Sequence, residues 1–242
     1  MARLIVFGAT GSLGSNVLRL ALAEGHEVTA FVRTPSKLAR SAGAGISVHQ
    51  GDLGTIALAD LAGIVRGHDA LINCAGHVTD GQVFVDLVDR LVSAVESLPG
   101  PEQPVCWFLA GAALLDIGPT GRRGVDLPKV ASMYWPHRIN FERLERSGLD
   151  WRLLCPGPMV ENTPLGLSKL RIATDVLPVD VPKFASKLPG PLVLPMFASW
   201  MPQMIVSYAD AAAFMLAHLD RGDPMSRHRI GLALPIGMRG KK

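Results

Sequence analysis

The chain has 242 residues, 48% hydrophobic and 19% charged, with a formal net charge of +3. That length suits one α/β domain with elaborations, and the apolar content excludes a disordered chain. Basic residues are spread along the sequence, and the terminal group Arg239, Lys241 and Lys242 reads as a solvated tail, so no nucleic-acid partner is expected. No run approaches the roughly 18 apolar residues that a membrane span needs. Arg3 and the following LIVF imitate a signal peptide, but Gly8, Gly11 and Gly14 interrupt the apolar run within a few residues. The cysteines Cys74, Cys106 and Cys155 sit in or at the end of apolar runs, which suits a reducing compartment better than a disulfide framework. None is spaced for zinc with the scattered histidines, so no metal is expected, and the expected location is cytoplasmic.

Strand-like and helix-like segments alternate from the first residues. Arg3–Phe7 is a short apolar run ending at Gly8, as expected of a strand buried on both faces. Leu13–Glu24 has helical spacing and stops at Gly25. Glu27–Val32 reads as the second strand, with Thr34 and Pro35 opening a short helix, and Ile46–Gln50 as a weaker third. Ala70–Cys74 is the fourth strand, Val83–Leu98 an amphipathic helix, and Val105–Ala110 the fifth strand. Pro136–Arg146 reads as a helix and Trp151–Cys155 as the sixth strand. Strands alternating with helices give a doubly wound parallel sheet. Residues 1–160 would form its core. The rhythm breaks at Pro156, and residues 162–202 combine many prolines with large apolar side chains, which reads as an irregular cap over a pocket. Ser207–Leu219 returns as a helix, capped by Ser207 with Asp210 at its third position, and Arg229–Leu234 is a candidate last strand. Residues 161–242 would thus cap and complete the same domain.

The stretch Gly8-Ala9-Thr10-Gly11-Ser12-Leu13-Gly14 follows the first strand and opens the first helix. Glycines there let the backbone bend and approach a pyrophosphate, while the helix N-terminus offers free N–H groups and partial positive charge. In this strand–turn–helix context the motif points to a dinucleotide. Arg33 ends the second strand, with Lys37 one turn further on. An acidic residue there suits NAD, whereas a fork-shaped guanidinium suits the 2′-phosphate of NADP. NADP is the expected cofactor. Other candidates lie at carboxyl ends of strands, where open α/β sheets bind ligands. Asp52 and Leu53 would border the adenine, Cys74, Ala75 and Gly76 would let the cofactor pass, and Ala110-Gly111 and Pro156-Gly157 end the next two strands.

The segments GATGSLG, VRTPSK, GDL and FERLERSGLDWRLLCPGPM resemble the NmrA-like, atypical branch of the short-chain dehydrogenase/reductases, over about residues 1–160. That branch includes small NAD(P)H-dependent quinone, flavin and biliverdin reductases as well as non-catalytic redox sensors. The resemblance implies a Rossmann-type fold in which Gly8, Thr10, Gly11, Ser12, Leu13 and Gly14 contact the pyrophosphate. It places Arg33 on the adenosine phosphate, Asp52 and Leu53 at the adenine, Ala75 and Gly76 along the middle of the cofactor, and Pro156 and Gly157 near the nicotinamide. The family's catalytic tyrosine and lysine, four residues apart, align with Tyr134 and Arg138, and its usual serine after the fifth strand is replaced in the run Phe108-Leu109-Ala110-Gly111-Ala112. Arginine supplies charge but does not release its proton. Pro136 disfavours helical geometry at Trp135, so Tyr134 is expected in a loop, with His137 as an alternative donor.

Two functions follow from the resemblance. The first is an NADPH-dependent reductase passing hydride directly to a small apolar or planar acceptor (a quinone, flavin or carbonyl compound), with Met133, Trp135, Met159, Met196, Phe197, Trp200 and Met201 available to hold it. The second is a non-catalytic NADP(H)-binding sensor. Either would work as a monomer or homodimer, with small molecules rather than nucleic acid or membrane as partners.

Overall fold

The computed structural model describes residues 1–38 and 45–241. Its first strand, β1 (Arg3–Phe7), shows how the sequence sets the layers. Leu4, Ile5, Val6 and Phe7 are at most 1% exposed. Successive side chains of a strand point to opposite faces. Accordingly Leu4 and Val6 enter one apolar cluster, and Ile5 and Phe7 enter the other. Cover on both faces is why the strand reads as an unbroken apolar run.

From β1 the chain passes through the glycine turn into helix α1 (Ser12–Ala23). Then come β2 (Glu27–Val32), β3 (Ile46–Gln50), α2 (Leu58–Val65), β4 (Ala70–Asn73) and α3 (Gln82–Glu96). The series continues with β5 (Val105–Leu109), α4 (Val130–Arg146) and β6 (Trp151–Leu154). The remainder supplies β7 (Met159–Val160), β8 (Arg171–Thr174), α5 (Gly190–Trp200), β9 (Val206–Ser207), α6 (Tyr208–Leu216) and β10 (Arg229–Ala233). Eight strands form one sheet in the order β3-β2-β1-β4-β5-β6-β10-β8, in which neighbours are parallel except β10 and β8. β7 and β9 form a separate parallel pair. Helices flank both faces, with α1 packed on α6 and α3 packed on α2 and α4. This is a Rossmann-like α/β fold. The order reverses between β1 and β4, and such a reversal opens a crevice at the carboxyl ends of the strands.

Several local expectations need correction. The short helix after Thr34 is one 3-10 turn, Pro35–Lys37, and Thr34 makes no side-chain cap. Helix α4 begins at Val130, so Tyr134 is helical and Pro136 lies inside the helix. Pro136, His137, Asn140, Phe141 and Leu144 are buried on that helix. Their packing outweighs the lost hydrogen bond and the local preference of one proline. The presumed irregular segment is also more ordered than its prolines suggest, supplying edge strand β8 and helix α5.

Two polar anchors hold this later segment, Asp210 on α6 and Arg229 on β10. Asp210 is 2% exposed; its carboxylate accepts from Leu165 N (3.0 Å), Gly166 N (2.9 Å) and Ser207 Oγ (2.8 Å), while Ser207 Oγ caps α6 by accepting from Asp210 N. Arg229 reaches Asp116 at 3.2 Å and Asp175 at 3.2 Å, donates to Leu114 O at 2.7 Å, and lies 4.9 Å over the Phe141 ring. Of the basic tail, Arg239 donates to Ser199 O at 2.7 Å, and Lys242 lies outside the described residues.

Candidate functional site

The glycine turn sits at the strand-order reversal. Gly8 has φ +70°, and a Cβ there would lie 2.5 Å from Ala75 N and from Cys74 C, so the ends of β1 and β4 touch at this point. A Cβ on Gly14 would lie 2.2 Å from Gly8 O. The chain's own packing therefore demands glycine at both positions. Gly11 is different. Its φ of −82° and ψ of 170° suit any residue, and a Cβ would meet only Gly8 O at 3.4 Å. Thr10, Gly11 and Ser12 are exposed, and no side chain caps the N-terminus of α1. The first-turn N–H groups of a helix have no intrahelical acceptor. They form a cradle for an anionic group, kept open by a glycine that the fold itself does not need.

Arg33 and Lys37 are both exposed beside this turn, and the run Arg33–Leu38 contains no acidic residue. At the end of β3, Asp52 is exposed, with Oδ1 accepting from Gly54 N at 2.9 Å. Leu53 is 6% exposed and its side chain belongs to the core, while its carbonyl accepts from Arg90 Nε at 2.8 Å. Cys74 is half-buried, and burial pushes its thiol up to about 12, so it is no nucleophile at neutral pH. Ala75 N donates to Asn73 Oδ1 at 3.0 Å. Gly76 and Gly157 answer to packing, because a Cβ would lie 2.3 Å from the Phe84 ring and 2.7 Å from Met204 O, respectively. Ala110 N donates to Leu154 O and Ala112 N to Pro156 O, each at 2.8 Å, which ties the ends of β5 and β6 together.

Further along the same edge, Gly111 meets α4. A Cβ on Gly111 would lie 3.4 Å from His137 Nε2 and 3.8 Å from Tyr134 Cε1. Tyr134 is half-buried and its ring stacks on His137 with centroids 5.9 Å apart and planes at 22°. Arg138 is exposed, with Nε 3.9 Å from Glu142 Oε1 one turn along the helix. The site thus gathers Tyr134, His137 and Gly111, and Arg138 turns to Glu142. Desolvation, with the nearby His77 adding to it, lowers His137 to about 4. Spacing from Tyr134 brings either i+3 or i+4 onto its face, and burial selects the former. Of the residues expected to hold an acceptor, Phe197 and Trp200 are core. Met133 is exposed, Met159, Met196 and Met201 are partly buried, and Trp135 lies against Gly81 in the loop after β4.

The sequence matches the NAD(P)H-binding family over residues 8–176, a span that begins at Gly8 of the phosphate-type turn. The chain belongs to this family. Membership of the NAD(P)H-binding family makes a nicotinamide dinucleotide its cofactor, and the open cradle at Gly11 fits such a group. Solved structures with the same fold include a candidate NADH-flavin reductase from Streptococcus pneumoniae, at 21% identity and a TM-score of 0.69, covering 97% of this chain and 100% of that one. The oxidoreductase ylbE from Lactococcus lactis aligns with a TM-score of 0.67 at 16% identity, covering 96% and 90%. The anaerobilin reductase ChuY from Escherichia coli O157:H7 aligns with a TM-score of 0.64 at 18% identity, covering 97% and 98%. No match was found among curated proteins. Among the described residues no helix is long and apolar enough to cross a membrane, and no three His, Cys, Asp or Glu side chains gather as metal ligands.

Proposed function

We propose that this protein is an NADPH-dependent reductase acting on a small planar or apolar acceptor, a quinone, flavin or carbonyl compound. The observation that carries the reading is Gly11, a glycine that neither backbone angle nor packing requires, at the uncapped N-terminus of α1. The natural occupant of that cradle is the pyrophosphate, held by the first-turn N–H groups of Ser12, Leu13 and Gly14, the Gly11 N–H being taken by Gly8 O at 3.0 Å. Gly8 and Gly14 shape the turn. Arg33 binds the adenosine 2′-phosphate, with Lys37 adding charge, and this selects NADP over NAD. Asp52, through its turn, and the backbone at Leu53 border the adenine. Cys74, Ala75 and Gly76 line the middle of the cofactor, and Ala110, Gly111, Pro156 and Gly157 flank its nicotinamide end.

When bound, the nicotinamide supplies a hydride from C4, so the acceptor gains two electrons and one proton while the cofactor is oxidised. Residues of α4 then face the acceptor. Tyr134 orients it with its ring and hydroxyl, and Arg138 tunes charge from the rim. Residues 161–242 cover this end of the crevice and exclude water. A sensor role has one observation in its favour: the arginine at the lysine position pairs with Glu142.

Titration of wild type and Arg33→Ala with NADPH and NADH tests the cofactor assignment. Losing one charge-assisted contact should weaken NADPH by roughly 1.5–3 kcal/mol and leave NADH nearly unchanged. Equal losses for both cofactors would refute it. Tight NADPH binding without turnover of menadione, FMN or an aldehyde would establish the sensor instead.

A further inference from the structure

Helix α4 carries two buried polar groups that the reading above leaves unused. His137 is 7% exposed and Asn140 is 5% exposed. His137 Nδ1 and both amide atoms of Asn140 are sealed from solvent without a hydrogen-bond partner among the described residues. Residues three apart share a helix face, so these groups are neighbours. Unpartnered polar atoms in a core are costly, and two in successive turns point to a use.

The orientation of the ring is fixed from two sides. Tyr134 stacks on one face, and Phe84 meets the ring at 90° with centroids 5.6 Å apart. Nε2 is thereby directed at Gly111. Gly111 has φ −139° and ψ 157°, an extended conformation open to any residue. Its missing side chain leaves free space in front of Nε2 at the carboxyl end of β5, on the crevice. His137 therefore has one nitrogen, Nε2, facing the place where the acceptor would lie and one, Nδ1, sealed in the core.

We propose that His137 is a catalytic residue whose uncharged imidazole donates an Nε2–H hydrogen bond to the acceptor oxygen, the sealed Nδ1 being the nitrogen without a proton. The proposal rests on the reductase reading. Hydride transfer breaks the C–H bond of the reduced cofactor and forms a bond from that hydrogen to the acceptor, whose oxygen becomes negative. His137 stabilises that charge and keeps its own proton, and the oxygen is protonated afterwards by water. A neutral donor prealigned to a developing oxyanion needs no reorganisation as the charge appears. The surroundings keep the ring uncharged. It is packed against Phe84 and Tyr134, the charge of His77 opposes its protonation, and among the described residues no carboxylate is hydrogen-bonded to it. Among the described residues Nδ1 finds no acceptor for an N–H in its sealed surroundings, and an unpaired buried donor is costly, so the proton belongs on Nε2, the nitrogen that faces Gly111.

Nitrogen NMR of histidine-labelled, cofactor-free protein reads the tautomer without any turnover. The expected spectrum shows Nε2 protonated and Nδ1 without a proton, unchanged from about pH 6 to about pH 8. In turnover of menadione with NADPH, His137→Phe should lower kcat about 10²-fold, the size expected for one oxyanion donor, with NADPH affinity intact. His137→Gln, whose amide can donate, should recover part of that loss. A proton found on Nδ1, or equal kcat in wild type and His137→Phe, overturns the proposal and leaves the reductase reading standing. Absence of turnover in the wild type overturns both.

Discussion

Neutral, buried His137 has a consequence for stability that can be measured without knowing the substrate. Unfolded, its imidazole titrates near 6.5; folded, burial holds it near 4. Between these values the unfolded chain binds more protons than the folded one. Stability therefore rises with pH through this window, and it falls on acidification from about pH 6.5 towards pH 4. At 1.36 kcal/mol per pKa unit the whole window is worth roughly 3 kcal/mol, and moving from about pH 7.5 to about pH 5 removes roughly 2 kcal/mol. His68, also lowered by burial, acts in the same direction. Asp69, Asp175 and Asp223 have carboxyls held below the usual range, so their stabilisation is lost only as pH falls further, through their folded values. Urea unfolding of wild type and His137→Phe across this range is the assay. The variant should show an acid limb shallower by roughly 2 kcal/mol at about pH 5, with the denaturant slope unchanged. Parallel curves for the two proteins would refute the claim that His137 is buried neutral.

Three further outcomes separate the roles of individual residues. Gly11→Val should keep wild-type circular dichroism and change stability by about 0.5 kcal/mol or less, while abolishing NADPH binding in a fluorescence titration; Gly14→Ala, driven into Gly8 O, should instead lose roughly 1–3 kcal/mol on unfolding. Tyr134→Phe should lower turnover of a quinone or flavin by less than about tenfold, because a true general acid would be worth about 10²–10⁴; a thousandfold fall with cofactor affinity intact would make Tyr134 the acid. Arg229→Met strips the charge partner from Asp116 and Asp175, and since those carboxylates stay partly exposed the loss should be roughly 2–4 kcal/mol in chemical denaturation, with cofactor affinity nearly unchanged.

The parts of the fold that local physics dictates could be read directly from the sequence. β1 is an apolar run because both its faces are covered, and α6 announces itself by Ser207 and Asp210 at cap spacing. Helix α2 has no counterpart in that reading. Its eight residues, LADLAGIV, are too short and too uniformly apolar for a helical stripe, include Gly63, and follow Ala57, which offers no side-chain cap. The glycine turn between β1 and α1 was legible as a motif, but not the distinction among its glycines. Only packing distances show that Gly8 and Gly14 serve the chain while Gly11 is left open. Tyr134 with Arg138 is a sequence pairing, whereas Tyr134 with His137 depends on which face of α4 is buried. Phe197 and Trp200 look like pocket residues in sequence, and long-range packing makes them core.

The contact between α1 and α6 also bears on how the protein is made. Leu13, Val17, Leu18 and Ala21 of α1 share one apolar cluster with Ala211, Ala212, Phe214, Met215 and Leu216 of α6. The apolar face of the helix that carries the glycine turn thus has no cover until residues 208–216 emerge from the ribosome. At about 5–20 residues per second that interval lasts on the order of 10–40 s. Throughout it the nascent chain presents a greasy helix to solvent or to a chaperone. A chain interrupted between α1 and α6 keeps its whole glycine turn yet lacks the layer that holds that turn in place.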